Sequence, residues 1–274
     1  MSTRTTLCAF SVGAFGSLTA AALLKRHPPG GSHGWARTNY AGSPVTLLEG
    51  PALVAGAVAG ALAGGAGAAA AVAALGAGAF GALDDHLVGE SVRKGLRGHL
   101  AAASGGEVTT GAIKILGLGA TGLLTAWIID RSRSRTRPIT TLIGGAVIAG
   151  SANIINLLDL RPGRALKVVL LLSGPLVAVV GGTPASSAAA SAAAGAAIAS
   201  LPEDLAGRSM LGDTGANSAG ALLGTALVAR TGLAGRLLAL AAVTALTLAS
   251  ERFSFTKVIE ATPGLRELDA LGRS

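Results

Sequence analysis

Apolar residues fall in nine runs, at 5–24, 46–64, 66–83, 106–129, 139–157, 166–182, 184–201, 217–231 and 234–250. Each is continuous rather than alternating, which predicts helices and argues against a transmembrane β-barrel. A helix that crosses a bilayer needs about 20 apolar residues. The stretch 46–83 is too long for one span, and Gly64-Gly65 divides it. Gly182 and Pro184 divide 166–201 in the same way. The pattern predicts an all-α polytopic membrane bundle with about nine transmembrane helices over residues 1–250. Residues 251–274, with mixed charge and Pro263, read as a cytoplasmic tail of one or two helices lying against the membrane.

Composition sharpens this picture. Half of the 274 residues are hydrophobic and only 13% are charged, which excludes a disordered chain. The lone Cys8 excludes a disulfide scaffold. A net charge of +8 would suggest nucleic acid in a soluble protein, but here the cations sit between apolar runs without aromatic platforms. They read as topology signals and lipid or phosphate contacts, with no nucleic-acid partner.

The first run is followed by Lys25-Arg26 and preceded by Arg4 alone, so it reads as an uncleaved helix with its N-terminus outside. Nine spans from that start place 14 of the 22 Lys and Arg inside and 7 outside. The run from Arg131 to Arg137 opposes this sidedness. Gly56, Gly60 and Gly64 recur every four residues and let helices approach closely, within the bundle or in a homodimer.

Acidic residues are few, so their places carry information. Asp84 and Asp85 end the third run, Asp159 follows the fifth, and Asp213 precedes the eighth. The nine-span topology puts all of them on the inner face. Carboxylates there suit a hard cation such as Mg²⁺, which takes one or two carboxylates plus substrate phosphates. Asn153, Asn156 and Asp159 recur every three residues and share a broad helix face, apt for a polar head group. Gly212-Asp213-Thr214-Gly215 is a turn before a helix, where phosphate is attracted. Lys114 lies within the fourth run, a depth at which charge is rare. It either reaches a lipid phosphate or snorkels to the interface. Trp35 and Trp127 sit near span ends, as interface anchors do.

Taken in order, Asn39 to Pro44, Gly81 to Asp85, Asn153 to Asp159 and Gly212 to Gly215 resemble the motifs of the polyprenyl-phosphate N-acetylhexosamine-1-phosphate transferase superfamily. The resemblance implies an enzyme of the cell membrane with a cytoplasmic active site. It would move a sugar-1-phosphate from a UDP-sugar to polyprenyl phosphate, releasing UMP, with Mg²⁺ as cofactor. It implies that Asp84 and Asp85 are the catalytic acids and Asp213 the metal ligand. Asn153, Asn156 and Asp159 would line the nucleotide pocket. Lys94 stands where the family has a basic loop residue and would contact phosphate; Lys114, Arg161 and Arg164 are read from the chain itself as further phosphate contacts. Arg161 and Arg164 stand where the family has Gly and small residues, and the family's His-rich last inner loop is absent. Those departures motivate a rival reading, a non-catalytic relative that binds a lipid-linked or nucleotide ligand in envelope biogenesis. A transporter is the third reading, resting on Lys114 and the many Gly.

Overall fold

The computed structural model describes residues 3–87, 110–133, 137–178 and 182–273. Each of the nine apolar runs falls on a helix: α1 Thr3–Arg26, α2 Glu49–Ala63, α3 Gly67–Leu87, α4 Thr110–Ser132, α5 Pro138–Leu158, α6 Arg164–Ala178, α7 Pro184–Leu205, α8 Gly212–Arg230 and α9 Leu233–Ser250. Two short helices follow, α10 Phe255–Ala261 and α11 Leu265–Ala270. The loop after α1 adds a small antiparallel hairpin, β1 Ala36–Thr38 with β2 Pro44–Thr46.

Five of these helices, α1, α3, α4, α5 and α9, are long and apolar enough to cross a membrane. The other four fall short for two reasons. Helices α2 and α6 have only 15 residues each. Helices α7 and α8 are long enough, but Ser, Thr, Asn and Gly dilute their apolar content. Helix α8 is buried along almost its whole length, and α7 is buried without a break from Ser186 to Ala197. A helix sheathed by protein needs small side chains for close contact more than it needs lipid-like ones.

Helix α8 is the axis of the bundle. It packs against α2, α3, α5 and α7, with lesser contacts to α4 and α6. Its glycines set the spacing. A Cβ on Gly220 would lie 2.4 Å from the Ser151 carbonyl oxygen, and one on Gly224 would lie 2.9 Å from the Ile148 Cα. Helix α1 lies outside, between α2 and α7. The Gly56, Gly60 and Gly64 stripe faces it, meeting Ser17, Gly13 and Ala9. The stripe therefore closes a contact inside the bundle.

One end of the bundle carries a buried ion pair. Arg236 of α9 holds Asp130 of α4 through two bonds, of 2.9 Å and 2.6 Å. The same guanidinium donates to the carbonyls of Thr140 and Val228, and Thr141 donates to Asp130 at 2.8 Å. Four helices are thereby fastened at one point. The other end gathers the termini of α1, α3, α5, α7 and α9 with the starts of α2, α4, α6 and α8, and it carries the acids.

Candidate active site at the meeting of three helix ends

Asp84 and Asp85 lie in the last turn of α3, and Asp213 lies in the first turn of α8. The two helices touch through Gly81. A Cβ there would stand 2.3 Å from the Asp213 carbonyl oxygen, so any larger residue would push the helices apart.

The neighbouring acids of α3 divide their work. Consecutive helical residues point about 100° apart, so they face different neighbours. Asp85 faces α8. Its carboxylate accepts the backbone N–H of Asp213 and of Thr214, each at 2.9 Å, and the Thr214 hydroxyl at 2.6 Å. These amides are otherwise orphaned at a helix start, where the dipole also favours an anion. Gly212 makes this fit possible. Its φ is 60°, and a Cβ would sit 2.9 Å from both Asp85 carboxylate oxygens. Arg37 of the hairpin donates to the Asp85 carbonyl. Asp84 faces the other way, toward α4.

Lys114 of α4 completes the group. Its ammonium lies 3.3 Å from Asp84 Oδ2 and in direct contact with Asp213 Oδ2. The three side chains are only 12–22% exposed. Lys114 is thus neither snorkelling nor isolated. Beside it opens a cavity of about 360 Å³ between α3, α4, α5 and α9. Asp84, Lys114, Asn153, Thr247 and Glu251 supply its polar wall, while Ile115, Leu118 and Leu157 are among its apolar lining. Asn153 is held by a bond from its amide to the Thr247 hydroxyl, at 3.3 Å.

The rest of the expected nucleotide set lies further along. Asn156 is half-buried at the end of α5, and its carbonyl accepts the Asp159 N–H at 3.1 Å. Asp159 bonds to the backbone of Gly212, next to Asp213. It lines a second cavity of about 180 Å³ with Asn39, Tyr40, Arg161, Asp204 and Ser209. Arg161 stacks over the Tyr40 ring at 4.0 Å and pairs with Glu260 at 3.3 Å. Arg164, expected at phosphate, is buried instead. Its guanidinium grips Asp269 of α11 at 2.7 Å and 3.0 Å and Thr256 at 2.8 Å. That fully engaged fork leaves the phosphate expectation at Arg164 without a free donor face. Lys94 lies outside the described residues.

Burial shapes the titration of the acids at this end. Asp204, at the foot of α7 beyond the run 184–201, is pushed up to about 6 by burial, against the pull of the Gly163 N–H at 3.0 Å. Burial also raises Asp159, with Asp204, Asp213 and Asp85 adding repulsion. Asp213, ahead of the run 217–231, rises to about 7 through burial and its bond with Asp84, opposed by Lys114.

Several participants escaped the sequence reading. Thr214 and Arg37 were visible only as a turn residue and a loop cation. Asp204 stood in a Pro-Glu-Asp run with no periodicity to mark it. Trp35, expected at the membrane interface, is buried against His86, with ring centres 4.7 Å apart, and donates to the Pro29 carbonyl at 2.7 Å.

No family model matches the chain, and no curated protein is significantly similar to it. Among the described residues, no set of three or more His, Cys, Asp or Glu is arranged to hold a metal ion. Among the described residues, the carboxylates that meet Lys114 are Asp84 and Asp213. That set fits Mg²⁺ arriving with phosphate, since Mg²⁺ takes few protein ligands and keeps water and phosphate oxygens.

Proposed function

We propose that the chain is an integral membrane phosphoglycosyl transferase that crosses the membrane about nine times with its acid end toward the cytoplasm. It moves a sugar-1-phosphate from a UDP-sugar to polyprenyl phosphate and releases UMP. The observation that carries this reading is the meeting of Asp84, Lys114 and Asp213 from three helices beside a cavity of about 360 Å³. A carboxylate pair with one ammonium at a helix start is suited to binding phosphates with a divalent cation.

In the reaction, an oxygen of polyprenyl phosphate attacks the phosphorus that bears the sugar. A new P–O bond forms, the diphosphate bridge breaks, and UMP departs with the bridging oxygen. The attacking oxygen is already ionised, so a strong base is not required. The main obstacle is repulsion between anions. Bound Mg²⁺ would offset that charge, with Asp84 and Asp213 as its protein ligands. Asp85 acts on this reading as a positioning residue, because both of its oxygens hold the start of α8. Asn153 presents an amide to the same cavity as Asp84. Asp159 and Arg161, with Tyr40 beneath the guanidinium, offer the polar groups and flat face that a nucleotide needs.

A second reading, a ligand-binding relative without turnover, is favoured by the commitment of Arg164 to Asp269. One assay decides. The protein, purified in mild detergent, is given polyprenyl phosphate, Mg²⁺ and a panel of UDP-sugars, and UMP is measured. Release with one donor that is lost in Asp213→Asn is the expected result. Binding of a UDP-sugar without release would establish the second reading.

A further inference from the structure

We propose that a cavity between α1, α2 and α7 is a lipid site, which takes a glycerolipid with a free hydroxyl, of the diacylglycerol class. It lies among other helices than the acid site and does not rest on the transferase reading.

The cavity holds about 260 Å³. Two polar atoms in its wall have no hydrogen-bond partner among the described residues. One is Glu49 Oε1. Glu49 is 6% exposed, and its other oxygen accepts from the Ser209 hydroxyl. The second atom is the Ser17 hydroxyl, on a residue 2% exposed. Buried polar groups are normally hydrogen-bonded, so each calls for a partner that enters from the cavity.

The chemistry of that partner is constrained. A hydroxyl both donates and accepts, so it serves Glu49 in either protonation state. Ser17 rests against Gly56, seven residues along α2 from Glu49, so the two positions differ in depth by about 10 Å. A small alcohol is too short to meet both. A glycerolipid is long enough: its free hydroxyl meets Glu49, and an ester carbonyl deeper down accepts from Ser17. Charge disfavours ionic ligands. Lys25 in the wall opposes a cation, and Glu203, which it holds at 2.8 Å, opposes an anion. Leu18, Ala21, Ala22 and Ala52 give the wall an apolar flank for acyl chains. The cavity also lies where lipid can reach it. Helix α1 is long and apolar enough to cross a membrane and has only three buried residues.

The test uses the full chain in detergent and counts bound lipid by native mass spectrometry. Dioleoylglycerol should bind as a single copy. Its acetylated form, which lacks the hydroxyl, should bind at least roughly tenfold more weakly. Ala22→Phe, at an exposed position in the wall, should abolish binding without unfolding the chain. Ser17→Ala should weaken dioleoylglycerol roughly fivefold and leave a long-chain primary alcohol, which has no ester, unchanged. In the native chain, a diacylglycerol carrying a photoreactive diazirine should label α1 between Ser17 and Lys25. Equal binding of the acetylated lipid, binding that survives Ala22→Phe, or labelling confined to other helices would overturn the proposal. So would an alcohol that binds as tightly as dioleoylglycerol, or no lipid binding at all, the result if water alone meets the two atoms. If a variant does not fold, the lipid comparison and the labelling of the native chain decide. UMP release enters none of these readouts, so the transferase reading stands or falls separately.

Discussion

Helix α4 carries buried charge at both ends, and the two ends are built differently. Lys114 and Asp130 are 16 residues apart on the same helix, about 24 Å along its axis. At Asp130 one anion meets one cation, each 2–3% exposed, and Arg236 makes four hydrogen bonds. At Lys114 one ammonium meets two carboxyl groups, the side chains are 12–22% exposed, and a cavity adjoins them. The first arrangement is closed and neutral, so it acts as a fastener. The second is open on one side, where the proposed reading places a charged group. Access to a cavity, rather than burial alone, sets the two ends of this helix apart.

The widest separation should come from Arg236→Ala. It strands a buried carboxylate and should cost about 3–5 kcal/mol in stability, read by detergent unfolding, while UMP release per folded molecule persists. A loss below about 1 kcal/mol would erase the contrast. Asp213→Asn should do the opposite. UMP release should fall at least about 100-fold, near 2.7 kcal/mol in barrier height, with the unfolding midpoint held or raised. Gly81→Ala probes the joint between the acids. Its Cβ must move the Asp213 backbone, so a cost of about 1–3 kcal/mol and a fall in turnover should appear together.

A fourth test is one of pH. Asp204 faces the Gly163 N–H, with Lys167 and Arg273 nearby and Glu49 coupled to it by charge. Its carboxyl is pushed up to about 6, above an unfolded value of about 3.9. The folded chain therefore holds a proton that the unfolded chain has lost across this window. Its contribution to stability is fully present below about 4 and declines as pH rises to about 6, by at most about 1.4 kcal/mol per unit. Asp204→Asn should flatten that slope in unfolding curves taken between those values.

The helices were legible because bilayer-length apolar runs broken by Gly and Pro leave little ambiguity, and all nine runs fall on helices. The hairpin was not legible. Three-residue strands such as Ala36–Thr38 are too short to show alternation. That these acids share one end could be read from spacing, and the structure gathers Asp84, Asp85, Asp159 and Asp213 there. The partners could not. Whether Lys114 meets lipid or carboxylate depends on which helices flank α4, and no local pattern encodes that. The split roles of Asp84 and Asp85 and the engagement of Arg164 with Asp269 are likewise tertiary facts. Helices α7 and α8 differ from the other long helices in their small polar residues, a composition that suits helices sheathed by others.

The grip of Arg164 on Asp269 spans 105 positions of sequence. During synthesis, the guanidinium enters its place long before its anion has left the ribosome. Until residues 265–270 arrive, the start of α6 must keep that cation hydrated. Docking of the tail is thus a late event in the making of this protein, and it seals the loop that carries Asp159 and Arg161 only when the bundle behind it has been laid down.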